Sequence, residues 1–186
     1  MKIYTRKGDD GSTGLFYGGR VRKDETGPAA YGAVDEAVAV MGVARALAVD
    51  IDPDLALRLL SIQREMFVVA AELATAPDNH HKLEPGVSRP EPVMIERLEH
   101  AIDAIVENRG MPTEFVVPGD NPLAAALDVA RTVVRRAERH VVTHTATHEI
   151  SDTLTVSYLN RLADYLWMAA RNAEESWTSS KDTPKP

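Results

Sequence analysis

The sequence predicts an all-α fold: a five-helix bundle preceded by a glycine-rich N-terminal segment, in one domain spanning residues 1–186. Three observations carry that expectation. A chain of 186 residues suits one domain rather than two. Alanine and leucine are abundant while aromatics make up only 5%, a balance that favours helix over sheet. Apolar residues also recur in alternating steps of three and four, the spacing of one packed helical face.

The first element, residues 1–26, is the exception to that pattern. Between Thr5 and Asp24 fall five of the chain's eleven glycines, interleaved with hydroxyl and charged side chains. The spacing Gly14–Gly19 is that of a phosphate-binding loop, but Arg20-Val21 follows it in place of the lysine–hydroxyl pair. Two readings stay open on composition. The segment is either a slack leader, or a cradle whose backbone N–H groups approach an anion alongside Thr5, Ser12, Thr13, Arg6, Lys7 and Lys23. Asp9 and Asp10 oppose the second unless one holds Mg²⁺ or pins the loop by hydrogen bonds.

Residues 27–178 read as the bundle. The first helix starts near Gly27-Pro28 with the stripe Ala30, Val34, Val38 (or Ala37) and Met41. Pro53 opens the second, whose stripe is Leu55, Leu59, Ile62, Met66, Val69 and Leu73, and Pro77 ends it. Residues 77–92 hold four prolines and no periodicity, which predicts a long loop. The third helix buries Met94, Leu98, Ile102 and Ile105 and stops at Gly110-Met111-Pro112. A non-helical insert, 114–120, leads to Asn121 as N-cap and Pro122 as first residue of the fourth helix. That helix carries Leu123, Leu127, Ala130, Val134, Ala137 and Val141 inward, and the run Thr143, Thr145, Thr147 predicts its end. Ser151 or Asp152 caps the fifth, with Leu154, Tyr158, Leu162, Tyr165 (or Leu166), Ala169 and Ala173 inward; the polar tail, 179–186, frays.

Composition narrows the chemistry. A formal net charge of −7 argues against nucleic acid as partner, and no apolar run approaches the roughly 18 residues of a membrane span. The charged N-terminus lacks the apolar stretch of a secretory signal, so a soluble cytoplasmic protein is expected. With no cysteine and no Gly-x-Ser-x-Gly elbow, no protein nucleophile stands out. On the fourth helix Arg131, Arg135 and Glu138 lie at the rim of the apolar stripe, with Arg139 a little further round. Such arginines need either carboxylates or a bound phosphate. His140, His144 and His148 share one helical spacing and are read as solvated, with a structural zinc site as the alternative.

Five motifs then occur in order: TRKGDDGST (Thr5–Thr13), YGAVDE (Tyr31–Glu36), FVVPG (Phe115–Gly119), RRAER (Arg135–Arg139) and YLNRLADYL (Tyr158–Leu166). Together they resemble the PduO-type ATP:cob(I)alamin adenosyltransferases over nearly the whole chain. The resemblance implies a trimer of five-helix bundles with active sites between subunits, and a nucleotide-binding role for the glycine-rich segment. Carried over by position, Thr5, Arg6, Lys7, Gly8, Thr13 and Gly14 would wrap ATP, with Lys23 on the triphosphate. Arg135, Glu138, Arg139 and Asn160 would bind it from the helices, and Mg²⁺ would accompany the phosphates. Asp35 and Arg131 would pair across the subunit boundary beside the corrinoid, and Phe115 would sit under its ring and exclude the lower axial ligand.

The implied reaction is attack of Co(I) on the 5′-carbon of ATP with loss of triphosphate, which needs no nucleophile from the protein. A flavin or other reductase and a downstream adenosylcobalamin-dependent enzyme would be partners. The alternative within the same fold is a non-catalytic corrinoid or nucleotide carrier. Asp120 and Ala163 depart from the family's usual glycine and serine, and Trp177 is a candidate cap for the corrinoid.

Overall fold

The computed structural model describes residues 3–181, and within them the helical expectation holds. Five α-helices follow a small antiparallel hairpin: β1 Ser12–Gly14, β2 Arg20–Arg22, α1 Thr26–Ala48, α2 Pro53–Leu73, α3 Pro92–Arg109, α4 Pro122–Thr147 and α5 Thr155–Ala173. Helix α4 packs on both α1 and α5, while α2 lies outside α1 and α3 outside α5. Glu65 of α2 closes the other side of the bundle, accepting from Tyr158 of α5 at 2.8 Å and from Arg97 of α3 at 2.6 Å.

Small residues set the α1–α4 contact. Ala30, Ala37 and Ala44 recur at seven-residue spacing on α1 and face a stripe on α4 that includes Ala130 and Ala137, all fully buried. Side chains this short let two helices approach closely, and Val34, Met41, Leu127, Val134 and Val141 fill the space between. Ala37 is thus the inward residue, and Val38 only packs against the edge of the core. On α5 both Tyr165 and Leu166 are buried. Ile102 and Ile105 of α3 are only half-buried, because that helix packs chiefly on α5 at the edge of the bundle.

Caps explain where most helices begin. Asn121 accepts from Ala124 N–H at 2.9 Å ahead of Pro122, as expected, and at the helix that Pro53 opens Asp52 supplies the cap, accepting from Leu55 N–H at 2.9 Å. The cap expected at Ser151 or Asp152 is not formed; α5 begins at Thr155. Thr153 and Thr155 donate their hydroxyls to the buried Glu72 carboxylate at 3.0 and 2.6 Å, drawing this stretch down onto α2, while Asp152 pairs outside with Arg89. The long loop is also less open than expected, since Pro77–Lys82 forms a 3₁₀ turn.

Helix α4 overruns the end set by its threonines. Thr143, Thr145 and Thr147 turn their hydroxyls back onto the carbonyls of Arg139, Val142 and Thr143, so none competes with the helix. It stops where Glu149 adopts φ +53° and Ile150 N–H returns to Thr145 O, a Schellman closure without its usual glycine. The extra turn brings His144 into the interior, 5% exposed rather than solvated. Its Nδ1 lies 3.0 Å from the Thr26 hydroxyl at the start of α1, and its ring packs on His148 with centroids 4.7 Å apart. His140 remains exposed, and among the described residues no cluster of histidines and carboxylates suits a metal ion.

The strongest polar feature sits at the end of α5. Arg171, 1% exposed, donates to Asp128 at 2.5 Å and to both oxygens of Glu174 at 2.6 and 2.7 Å. Arg109 of α3 caps the carbonyls of Arg171 and Glu174, and Trp177 donates its indole N–H to Arg171 O at 3.1 Å. The chain then returns along the insert: Val117 N–H bonds Thr178 O and Ser180 N–H bonds Phe115 O, both at 2.8 Å. The tail is therefore held through Ser180 rather than frayed; residues 182–186 lie outside the described residues.

Two stability predictions follow from these buried groups. Arg171→Met should leave Glu174 buried without a cation and Asp128 short of one hydrogen-bond partner, costing about 3–5 kcal/mol and lowering Tm by on the order of 10 °C; calorimetry checks it. Burial, with His148 and His80 nearby, holds His144 down at about 4. The unfolded chain takes up that proton near the ordinary value of about 6.5, so stability present at higher pH is lost as pH falls towards 4. Measured by denaturant unfolding, about 2 kcal/mol of the loss by pH 4.5 should disappear in His144→Gln, which keeps a partner for Thr26.

Candidate active site

The glycine-rich segment is a hydrogen-bonded hairpin rather than a slack leader. Ser12, Thr13 and Gly14 pair with Arg22, Val21 and Arg20, and the turn between them places Gly18 and Gly19 at φ +96°, where a side chain would be strained. The tip docks on the bundle: Phe16 N–H bonds Ala74 O at 2.8 Å at the end of α2. Below the tip, Lys23 donates its ammonium to Gly8 O at 2.8 Å and its N–H to Gly11 O. A methyl group on Gly8 would lie 3.0 Å from Ser12 O and 3.2 Å from Lys23 Nζ, so this close approach requires glycine.

The acidic pair divides. Asp10 Oδ1 accepts from the Ser12 hydroxyl at 2.7 Å and the Ser12 N–H at 2.9 Å, bonds that lower its pKa. It therefore pins the loop. Arg20 reaches across to Lys7 O and the Ser12 hydroxyl, a stitch that composition did not single out. Thr5 accepts from Lys7 N–H at 3.4 Å, Arg6 stands at φ +62° with its guanidinium over Tyr4, and Thr13 bonds the half-buried Tyr31 hydroxyl. Burial raises the Tyr31 pKa, against the smaller opposing effect of that bond.

The helical residues form a second group. Asn160 of α5 donates to Glu138 of α4 at 3.0 Å, which sets both side chains against each other across the helix pair. Arg139 turns back to the Arg135 carbonyl at 3.0 Å. Arg135 itself is exposed, and its guanidinium has no partner among the described residues. Arg136 is committed elsewhere, to Glu36 of α1 at 2.5 Å. No hydrogen bond or ion pair among the described residues joins this group to the hairpin.

The third group also differs from a simple pairing. Arg131 donates Nε to Asp128 at 2.8 Å, not to Asp35, which is exposed on α1 of the same chain. The i,i+3 spacing of Asp128 and Arg131 is written in the sequence, but the aspartate falls on the apolar stripe, where periodicity marks core rather than a charged partner. Phe115 is 85% exposed, its backbone fixed by Ser180 and its ring free. The Trp177 ring lies 5.6 Å from the Arg109 guanidinium, and its indole N–H is bonded to the end of α5. The two departures have plain uses: Asp120 accepts from Glu175 N–H, and Ala163 is a core residue.

The sequence profile of the cobalamin adenosyltransferase family matches residues 3–173. A corrinoid adenosyltransferase of Mycobacterium tuberculosis is 43% identical over 177 residues, covering 92% of this chain and 88% of that protein. One from Citrobacter freundii is 38% identical over 173 residues, covering 93% and 95%. Among solved structures, a variant of the PduO-type ATP:corrinoid adenosyltransferase from Lactobacillus reuteri, complexed with cobalamin and ATP, superposes with a TM-score of 0.84. It is 34% identical, over 92% of this chain and 90% of that one.

Proposed function

The chain belongs to the cobalamin adenosyltransferase family, and from that premise we propose that it transfers the 5′-deoxyadenosyl group of ATP to cob(I)alamin. Adenosylcobalamin forms and inorganic triphosphate leaves. The observation that carries this reading is the family match, which runs from the hairpin to the end of α5. The geometry supports it in detail.

ATP binds between two walls. One is the hairpin, where Thr5, Arg6, Lys7, Gly8, Thr13 and Gly14 line the nucleotide and Lys23 leaves Gly8 O for the triphosphate. The other is helical, with Arg135 as the main phosphate contact beside Arg139, Glu138 and Asn160. Supporting this, the Arg135 guanidinium, unlike that of Arg139, has no partner among the described residues, and guanidinium is suited to a leaving polyphosphate. We assign the two walls to adjacent subunits of a homotrimer, a reading that fits the lack of any hydrogen bond or ion pair between them among the described residues. Mg²⁺ arrives with the phosphates as part of the substrate; Asp10 Oδ1 is engaged by Ser12 and Glu138 Oε1 by Asn160.

The corrinoid lies beside Asp35, Arg131 and Phe115. Asp35 of one subunit pairs with Arg131 of the next, and the exposed Phe115 ring covers the lower face of cobalt with no donor atom. Cob(II)alamin without its lower ligand is more easily reduced, and the resulting Co(I) attacks C5′ in line as the carbon–oxygen bond breaks. The protein supplies orientation and charge for the departing triphosphate; no general base is required. We place the reaction in the cytoplasm, with a flavin or other reductase upstream and an adenosylcobalamin-dependent enzyme downstream.

Purified protein given ATP, Mg²⁺ and chemically reduced cobalamin under anaerobic conditions should show the visible spectrum of adenosylcobalamin. Binding of both substrates with no cobalt–carbon bond would instead identify a carrier. Arg135→Ala should lower kcat/KM by about 10²–10³-fold, the effect of removing one preorganised donor from a developing anion. Phe115→Ala should slow turnover from cob(II)alamin far more than from pre-reduced cob(I)alamin; equal losses would remove the axial-ligand role.

A further inference from the structure

Arg131 owes its placement to a carboxylate on its own helix. We propose that Asp128 is a positioning residue for the corrinoid end of the site, holding Arg131 by Nε so that both terminal nitrogens remain available to the corrinoid-side partner. This deepens, and rests on, the reading of Arg131 given above.

The first support is the bonding pattern. Asp128 Oδ1 accepts Arg131 Nε at 2.8 Å, and among the described residues Arg131 makes no other hydrogen bond. The guanidinium is three-quarters buried, with 24% of the side chain exposed. A fork anchored at Nε has its plane defined, and its outer edge keeps the paired donors that match a carboxylate.

Charge balance is the second support. Asp128 is 4% exposed, where an isolated carboxylate would not remain ionised. Its Oδ2 accepts from Arg171, which is already satisfied by both oxygens of Glu174. The buried Arg171–Glu174 pair is neutral by itself, so the charge of Asp128 is matched by Arg131. Arg171 also fixes the aspartate from behind, so Asp128 cannot rotate to follow a moving Arg131. The anchor is preorganised by packing that is independent of ligand.

Nothing comparable orients Arg135, whose guanidinium is free on the same helix. A defect at Asp128 should therefore be felt by one substrate and not the other. A merely structural ion cluster would disturb both alike.

The test is equilibrium binding to the full-length protein, with cob(II)alamin titrated by its visible spectrum and ATP by calorimetry, for wild type, Asp128→Asn, Arg131→Ala and the double variant. Asp128→Asn should weaken corrinoid binding about tenfold and ATP binding less than twofold. Added to Arg131→Ala, it should cost less than a further twofold. Equal losses for ATP and corrinoid, or a full tenfold loss in the Arg131→Ala background, would overturn the proposal. Should the asparagine variant not fold, Asp128→Glu keeps the buried charge while displacing the carboxylate by one methylene, and the same comparison applies. Wild-type protein that binds both substrates but forms no product would sink the enzymatic reading while leaving this one testable by the same titrations. Wild type that binds no corrinoid would overturn both.

Discussion

The guanidinium of Arg171 is the fixed point of this structure. A cation buried at the end of a helix is tolerable only when its charge and donors are met, and Asp128 and Glu174 meet them from α4 and from the chain just beyond α5. Burial works to lower its pKa, and the hydrogen bonds to Glu174 and Asp128 outweigh that effect. Because Arg109 and Trp177 bind the carbonyls of the same turn, four parts of the chain converge there: the end of α3, the first half of α4, the end of α5 and the returning segment. Phe115 hangs from that returning segment and Arg131 from Asp128. Phe115 and Arg131, both proposed to face the corrinoid, thus depend on one buried cluster at one end of the bundle.

The nucleotide side is built on a different principle. Its hairpin is too short for a core, and it stands by backbone pairing, by the Asp10–Ser12 and Lys23–Gly8 bonds, and by docking of Phe16 on the end of α2. Such exposed bonds are weak individually and open easily. That suits the proposed role of this wall, in which Lys23 exchanges Gly8 O for phosphate. The helical wall, by contrast, is held on the rigid α4–α5 pair. One side of the proposed ATP site adapts while the other stays fixed.

Much of the fold was legible because its signals are local. The four-three periodicity marks the buried face of each helix, and Asp52-Pro53 and Asn121-Pro122 mark where two of them begin. The misreadings share a physical cause. Threonines 143, 145 and 147 looked like a helix terminator, but their hydroxyls are satisfied within the helix and His144 is anchored by Thr26. Ser151 and Asp152 looked like caps, but Glu72, some 80 residues earlier, claims the neighbouring threonines. In both cases a distant partner outcompeted the local preference.

The site divides along the same line. Residue type and order determined by themselves which chemistry this chain carries: glycines that allow close approach, an arginine-rich face on α4, an asparagine facing it from α5, and a phenylalanine in a proline-bounded insert. Those are properties of side chains at helical or turn spacing, and spacing is written in the sequence. Tertiary structure alone decided which of these groups are committed and which are free. Only in the fold does Arg136 pair with Glu36, Arg131 with Asp128 and Asp10 with Ser12, while Arg135 is left unpaired. Electrostatic partnership depends on distance through space, and a sequence records distance only along the chain.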